Sequence, residues 1–200
     1  LAIRSATKVT EQVLDAAANL KVVGRAGIGI DNVDIGAATK RGIIVMNTPH
    51  GNSVTTAEHA ITMILALARQ IPEANTSTKA GKWEKSRFMG TEITGKTLGL
   101  IGCGKIGTVV AERAQGLKMR VVGYDPYLSS ENAKRLGIEK LELNDLLKRA
   151  DFITLHTPLT DATRNIVGAD ALNKTKKGVR IINCARGGLV DELAMAAALK

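Results

Sequence analysis

The chain has 200 residues, 44% of them hydrophobic but only 2% aromatic, and a formal net charge of +9. That length allows one or two domains with a substantial core, and so few aromatics make the core aliphatic, as in parallel strands covered by helices. The charge alone admits nucleic acid, an anionic surface or acidic metabolites, but the basic residues are scattered, densest at Lys79 to Arg87 and Lys174 to Arg180, and lack the interleaved aromatics of single-strand binding.

Most of these charges therefore read as solvated surface, a few of them steering a small anion; neither nucleic acid nor membrane is expected as a partner. No apolar run approaches the ~20 residues that span a bilayer. Cys103 and Cys184 form neither a C-x-x-C pair nor a disulfide framework, which suits a reduced, cytoplasmic protein. The three histidines show no metal-ligand spacing, so no metal site is expected.

In chain order, Ala2 to Arg4 reads as the end of a strand, and an upstream portion is expected. Glu11 to Ala18 is a short helix and Lys21 to Arg25 an apolar strand leading into Ala26-Gly27-Ile28-Gly29. Asp34 to Arg41 is a second helix, closed by Gly42 as its C-terminal cap. Ile43 to Met46 is a strand, and Asn47 to Ser53, with His50 inside it, is a turn-rich loop taken as the domain boundary: residues 1–49 in one domain, 50–200 in the other. Thr56 to Arg69 is a long apolar helix with Ile61, Ile64, Leu65, Leu67 and Ala68 on one broad face, mostly buried, and His59 on the same helix. Pro72 opens another helix to about Ala80, and Gly81 to Thr94 is polar and irregular.

Thr97 to Asp125 organises the rest. A short apolar strand, Leu98–Ile101, meets a Gly-rich turn, an amphipathic helix, and a second apolar strand ending in an acid. Gly102 permits a tight turn, Gly104 lets a pyrophosphate approach the backbone, and Gly107 lets the helix pack close to the strand. The helix offers free N–H groups and its positive dipole end to phosphates. Asp125 can accept from ribose hydroxyls and would repel a 2′-phosphate. Pro126 and Tyr127 follow it rather than an Arg, which favours NAD over NADP.

Helices follow near Glu131–Leu136 and Asp145–Arg149, then a strand at Phe152–His156, a short helix near Asp170–Asn173, a strand at Val179–Asn183 and a helix capped near Asp191. Alternating strands and helices give an α/β, doubly wound parallel sheet of the Rossmann type. Four strands are read after Asn47, near Leu98, Val121, Ile153 and Ile181. A complete sheet has six, so the nucleotide domain is expected to continue past Lys200.

Ligands of open α/β sheets bind beyond the carboxyl ends of the strands. Gly102–Gly107, Asp125, His156-Thr157-Pro158 and Cys184-Ala185-Arg186 should then share one rim. Arg186, between Ala185 and two glycines, either clamps a carboxylate in a bidentate way and polarises a carbonyl, or pairs with Asp191 or Glu192. His156 is a base, a cofactor contact or a hydrogen-bonded rim residue. His50 and His59 read as structural. Cys184 has no base beside it to make it a nucleophile. Arg4, Ser5, Lys8 and Arg25, at strand ends of the first domain, are either anion contacts or plain surface charge.

The chain resembles the D-2-hydroxyacid dehydrogenase family over all its residues. The motifs are Val23 to Gly27 with Asp31-Asn32-Val33-Asp34, Met46 to Pro49, Gly102 to Gly107, Gly123 to Pro126, His156 to Leu159, and Asn183 to Gly188 followed by Val190-Asp191-Glu192. The resemblance implies a Rossmann-type NAD domain with part of a second, flavodoxin-like substrate domain, assembled as a homodimer or homotetramer. It implies oxidation of 3-phosphoglycerate to 3-phosphohydroxypyruvate, the entry to serine synthesis. Lys105, Ile106, Asp125, Thr157, Cys184 and Ala185 would contact NAD. Arg186 would be the catalytic arginine holding the substrate carboxylate and ketone oxygen. Arg4 and Arg25 would bind the anionic substrate, and Gly27 would belong to the loop whose amides meet its carboxylate. Ile28 stands where relatives can carry a cofactor-contacting Thr. The acid/base histidine and its glutamate are expected beyond Lys200. Another member of the family, of glycerate or lactate type, and an NAD-sensing corepressor-like binding protein are the alternatives.

Overall fold

The computed structural model describes residues 1–49 and 51–200; His50 lies outside them. The chain forms two compact units, Leu1–Ser53 and Val54–Lys200.

The first unit is a three-stranded parallel sheet of β1 (Ala2–Ile3), β2 (Val22–Arg25) and β3 (Ile44–Asn47), with α1 (Glu11–Asp15) and α2 (Ile35–Lys40). Ile3, Val23, Leu14, Ala37, Ala38 and Ile43 make its core. The α2 ends are set by sequence: the Asp34 carboxylate accepts from the Ala37 N–H at 2.8 Å, and Gly42 takes the left-handed φ of 66° expected of a C-terminal cap.

In the second unit, α3 (Ser53–Arg69, its first residue still in the first unit) and α4 (Ile71–Lys79) precede a five-stranded parallel sheet. Its strands are β4 (Thr97–Ile101), β5 (Arg120–Tyr124), β6 (Glu139–Lys140), β7 (Phe152–Leu155) and β8 (Arg180–Asn183), in the order β6-β5-β4-β7-β8. The helices α5 (Lys105–Gly116), α6 (Ser130–Arg135), α7 (Leu143–Arg149), α8 (Ala169–Leu172) and α9 (Glu192–Ala198) complete it. The α/β parallel architecture is the expected one.

Two aliphatic clusters arise because strand side chains alternate between faces. Leu98 and Leu100 pack with α3 and α5 residues, whereas Ile101, Ile153 and Leu155 pack with Leu146 and Leu147 of α7. Truncating a fully buried residue such as Ile64 or Leu100 to Ala would cost ~2–5 kcal/mol.

Two expectations are corrected. The sheet has five strands rather than four, because Glu139–Lys140 pairs with Val122 and Gly123 as an edge strand. Both its side chains are exposed, so no apolar pattern announced it. On α3 the buried stripe is Ala57, Ala60, Ile64 and Ala68, while Leu65 and Leu67 stand 36% and 45% exposed. His59, on this mostly buried helix, is itself exposed.

Candidate functional site

The strands of the larger sheet end in register: Ile101 opposite Tyr124 and Leu155, and Leu155 opposite Asn183. The next residues, Gly102, Asp125, His156 and Cys184, therefore lie along one edge. Chain order reverses at β4, which pairs with both β5 and β7. That reversal is where open α/β sheets form a binding crevice.

The three glycines of the turn differ physically. Gly102 has φ 96°, and a side chain there would lie 2.7 Å from the His156 carbonyl. A Cβ on Gly107 would lie 2.2 Å from the Gly102 carbonyl oxygen. Both are required by close backbone approach. Gly104, the N-cap of α5, would meet nothing within 4 Å. Lys105 opens the first turn, followed by Ile106 and Gly107, where an α-helix supplies no acceptor of its own for the backbone N–H groups. Open space at Gly104, at the positive end of the helix, fits a pyrophosphate.

Asp125 is half-buried beside this turn. Its Oδ2 accepts from the Cys103 N–H and its Oδ1 from the Tyr127 N–H, both at 2.8 Å. The acid is thus tied to the Gly-rich turn, a role the sequence did not announce. Each carboxylate oxygen has a further acceptor site, so a ribose contact remains open to it. Burial first, and the Asp125 charge second, push the Cys103 thiol up to about 12. Burial also raises the Cys184 thiol, which suits an unreactive group.

The His156 Nε2 lies 3.0 Å from the Thr154 hydroxyl, and its buried Nδ1 has no partner among the described residues. Burial lowers its pKa to about 4, so the ring is neutral at physiological pH. After Thr157 and Pro158, the Thr163 hydroxyl holds the loop by donating to the Pro158 carbonyl at 2.7 Å.

Asn183 organises the next turn. Its Nδ2 donates to the Arg186 carbonyl at 2.8 Å, and its Oδ1 accepts from the Ala185 N–H at 3.1 Å. The sequence marked Asn183 as a strand end and the start of a motif but not this role, although an Asn at the mouth of a Gly-rich turn is a known turn former. The Arg186 guanidinium donates to the Ala185 carbonyl at 2.8 Å. Asp191, considered as its ion partner, caps α9 by accepting from the Leu193 and Ala194 amides.

Arg4, Ser5, Arg25 and Gly27 belong to the first unit. Ile3 pairs with Arg25, and Arg25 with Asn47, so Arg4 and Arg25 share a sheet edge. Asn32 pins the turn after β1 by donating to the Arg4 and Thr7 carbonyls, with Ser5 and Lys8 exposed around it. The Arg25 Nε is buried without a partner among the described residues, and its guanidinium crosses Gly27, where a Cβ would lie 2.1 Å from Nη1. The Gly27 N–H is donated to the Thr48 hydroxyl. Gly27 thus makes room for Arg25, and its own amide is already engaged.

Residues 61–200 match the sequence profile described as D-isomer specific 2-hydroxyacid dehydrogenase, NAD binding domain. The whole chain is 54% identical to D-3-phosphoglycerate dehydrogenase of Pongo abelii and 50% identical to that of Bacillus subtilis, covering 38% of each. The chain thus spans about two fifths of these relatives' length. Among solved structures, D-lactate dehydrogenase from Aquifex aeolicus, complexed with NAD and lactic acid, aligns with a TM-score of 0.92 and 32% identity, over 99% of this chain and 60% of that one. The apo D-lactate dehydrogenase of Escherichia coli aligns at 0.86 and 34%, over 99% and 63%. With the Gly-rich turn, the spaced acid and the parallel sheet in place, the chain belongs to the D-isomer specific 2-hydroxyacid dehydrogenase family, and residues 61–200 match its NAD-binding domain.

Proposed function

We propose that the protein carrying this chain oxidises 3-phosphoglycerate to 3-phosphohydroxypyruvate with NAD, the step that opens serine biosynthesis. The observation that carries this choice is the 50–54% identity, over the whole chain, to D-3-phosphoglycerate dehydrogenases, against 32–34% to the D-lactate dehydrogenases.

In this reading Gly102, Gly104, Lys105, Ile106 and Gly107 hold the pyrophosphate, and Asp125 accepts from the ribose hydroxyls. His156, Thr157, Pro158, Cys184 and Ala185 line the rest of the cofactor edge. NAD, when bound, supplies the hydride acceptor. Arg186 holds the substrate carboxylate and the oxygen that becomes the ketone, since its planar fork suits two acceptors at once. Arg4, Ser5, Arg25 and the Gly27 loop receive the anionic substrate.

The substrate hydroxyl must also lose a proton, and a base works best with a pKa near the operating pH. His156, with its pKa of about 4 and its Nε2 engaged by Thr154, is a poor candidate. We assign that proton to the His–Glu pair that the family resemblance places after Arg186.

A cytoplasmic homodimer or homotetramer is part of the proposal. Leu65, Leu67, Ile71, Trp83 and Met89 are exposed apolar side chains of the second unit that suit a subunit contact. Among the described residues no helix is long and apolar enough to cross a membrane, and both cysteines are free.

The test is initial rates on 3-phosphoglycerate, D-glycerate and D-lactate with NAD. The reading expects kcat/KM highest for 3-phosphoglycerate by at least tenfold. Preference for an unphosphorylated acid would replace it with another activity of the family, and no turnover with intact NAD binding would favour a sensor.

A further inference from the structure

A second concentration of polar groups lies at the opposite edge of the larger sheet. Strands β4, β7 and β8 begin there at Thr97, Phe152 and Arg180, with Phe152 paired to Leu98 and to Arg180. At ~3.3 Å per residue, this edge is roughly 16 Å from the cofactor turn. A cavity of about 150 Å³ opens among the strand starts, lined by Thr91, Lys96, Asp151, Lys176, Lys177 and Arg180. Four cations thus surround one carboxylate.

That carboxylate is already engaged. Its Oδ2 accepts from the Thr97 N–H and its Oδ1 from the Lys176 ammonium, both at 2.8 Å. Burial alone would raise its pKa, but Lys176, the Thr97 amide and Lys96 hold it below the usual value. Asp151 therefore stays charged and offsets Lys176. Among the described residues, the Lys96 and Lys177 side chains make no hydrogen bond or salt bridge. Arg180 stacks over the Phe152 ring, 5.2 Å from its centroid, and donates to the Thr91 hydroxyl at 3.1 Å. A guanidinium has five N–H donors, so most remain available. Lys96, Lys177 and Arg180 leave a net excess of positive charge on a half-enclosed, fixed frame.

We propose that this cavity is a second anion site, taking a phosphate group either free or as the end of a small phosphate ester. Its volume of about 150 Å³ leaves room for the five heavy atoms of a phosphate. Arg180, oriented by Phe152 and Thr91, supplies the planar pair of donors, and Lys96 and Lys177 supply point charges. The site stands on the starts of three paired strands and shares no residue with the cofactor turn, so it does not depend on which acid the enzyme oxidises.

Lysine acetylation read residue by residue in the mass spectrometer tests this. The purified protein, saturated with NAD to occupy the Gly-rich turn, is titrated with inorganic phosphate in one arm and glycerol 3-phosphate in another. Potassium chloride at matched ionic strength is the reference, and exposed Lys134 reports general screening. Saturable slowing of Lys96 and Lys177 acetylation by at least threefold is expected in one or both phosphate arms, with Lys134 unchanged; which arm responds assigns free phosphate or an ester. Lys177→Gln should raise the concentration for half-protection of Lys96 at least fivefold. Equal protection by chloride, equal protection of Lys134, or a Lys96 midpoint unmoved by Lys177→Gln would overturn the proposal.

Discussion

Gly104→Ala and Gly107→Ala add the same methyl group to one turn, yet should fail in opposite ways. At Gly104 the Cβ enters space with nothing within 4 Å, and φ is −72°, which any residue adopts. Losing a glycine stabilises by ~0.4–1 kcal/mol through the unfolded chain. Replacing an N-cap Gly by Ala costs an amount of similar order. The two nearly cancel, so the midpoint of unfolding should stay put. The methyl nevertheless fills the space we assign to the pyrophosphate, and NAD affinity should fall at least tenfold, or ~1.4 kcal/mol. At Gly107 the Cβ would lie 2.2 Å from the Gly102 carbonyl oxygen. Backbone must move, and overpacking of this kind costs ~1–3 kcal/mol of stability. Urea unfolding and NAD titration by fluorescence, on both variants, separate the two. Unchanged NAD affinity in a folded Gly104→Ala variant would refute the assignment of that space to the cofactor.

Arg186→Lys keeps the charge but loses the planar fork, so turnover should fall at least a hundredfold with NAD affinity near normal; unchanged turnover would reduce Arg186 to a structural role. His156 has its pKa lowered to about 4 in the native state against 6.5 normally. The unfolded chain therefore binds the extra proton first as pH falls. This contribution is flat above about pH 6.5 and removes up to about 3 kcal/mol of stability between there and pH 4. His156→Gln should flatten that part of a urea-midpoint series, and an unchanged slope would mean that His156 titrates normally. Cys103, with its thiol pushed up to about 12, should resist iodoacetamide at pH 8 until the protein unfolds, with Cys184 labelled first; equal native rates would contradict its burial.

Much of the fold was legible because its signals are local. Leu98–Ile101 and Val121–Val122 are aliphatic runs ending at a glycine turn and an acid, and caps such as Asp34, Gly42 and Asp191 lie where their side chains or φ angles require. What escaped is set by packing. The face of α3 was read as Ile61, Ile64, Leu65, Leu67 and Ala68; Ile64 and Ala68 are buried as read, but packing adds Ala57 and Ala60 and leaves Leu65 and Leu67 outward. Glu139–Lys140 is a strand only through its backbone pairing with β5. At the site, glycine spacing and strand ends marked the edge, whereas hydrogen-bond partners stayed hidden. Asp125 holding Cys103, Asn183 holding Arg186, and Thr48 taking the Gly27 amide each join residues distant in sequence or in turns whose geometry composition does not fix.

We assign NAD binding to the edge at Gly102–Asp125, and the choice of NAD over NADP to the Asp125 charge. A carboxylate facing a 2′-phosphate across ~4 Å at an effective dielectric of ~20 feels ~4 kcal/mol of repulsion. Asp125→Asn removes the charge while keeping an oxygen for the Cys103 N–H. The direct measurement is the ratio of dissociation constants for NADP and NAD in the native protein and in this variant. A native ratio above about 100, falling at least tenfold in Asp125→Asn, is expected. A ratio that does not move, with both proteins folded and binding NAD, would contradict it.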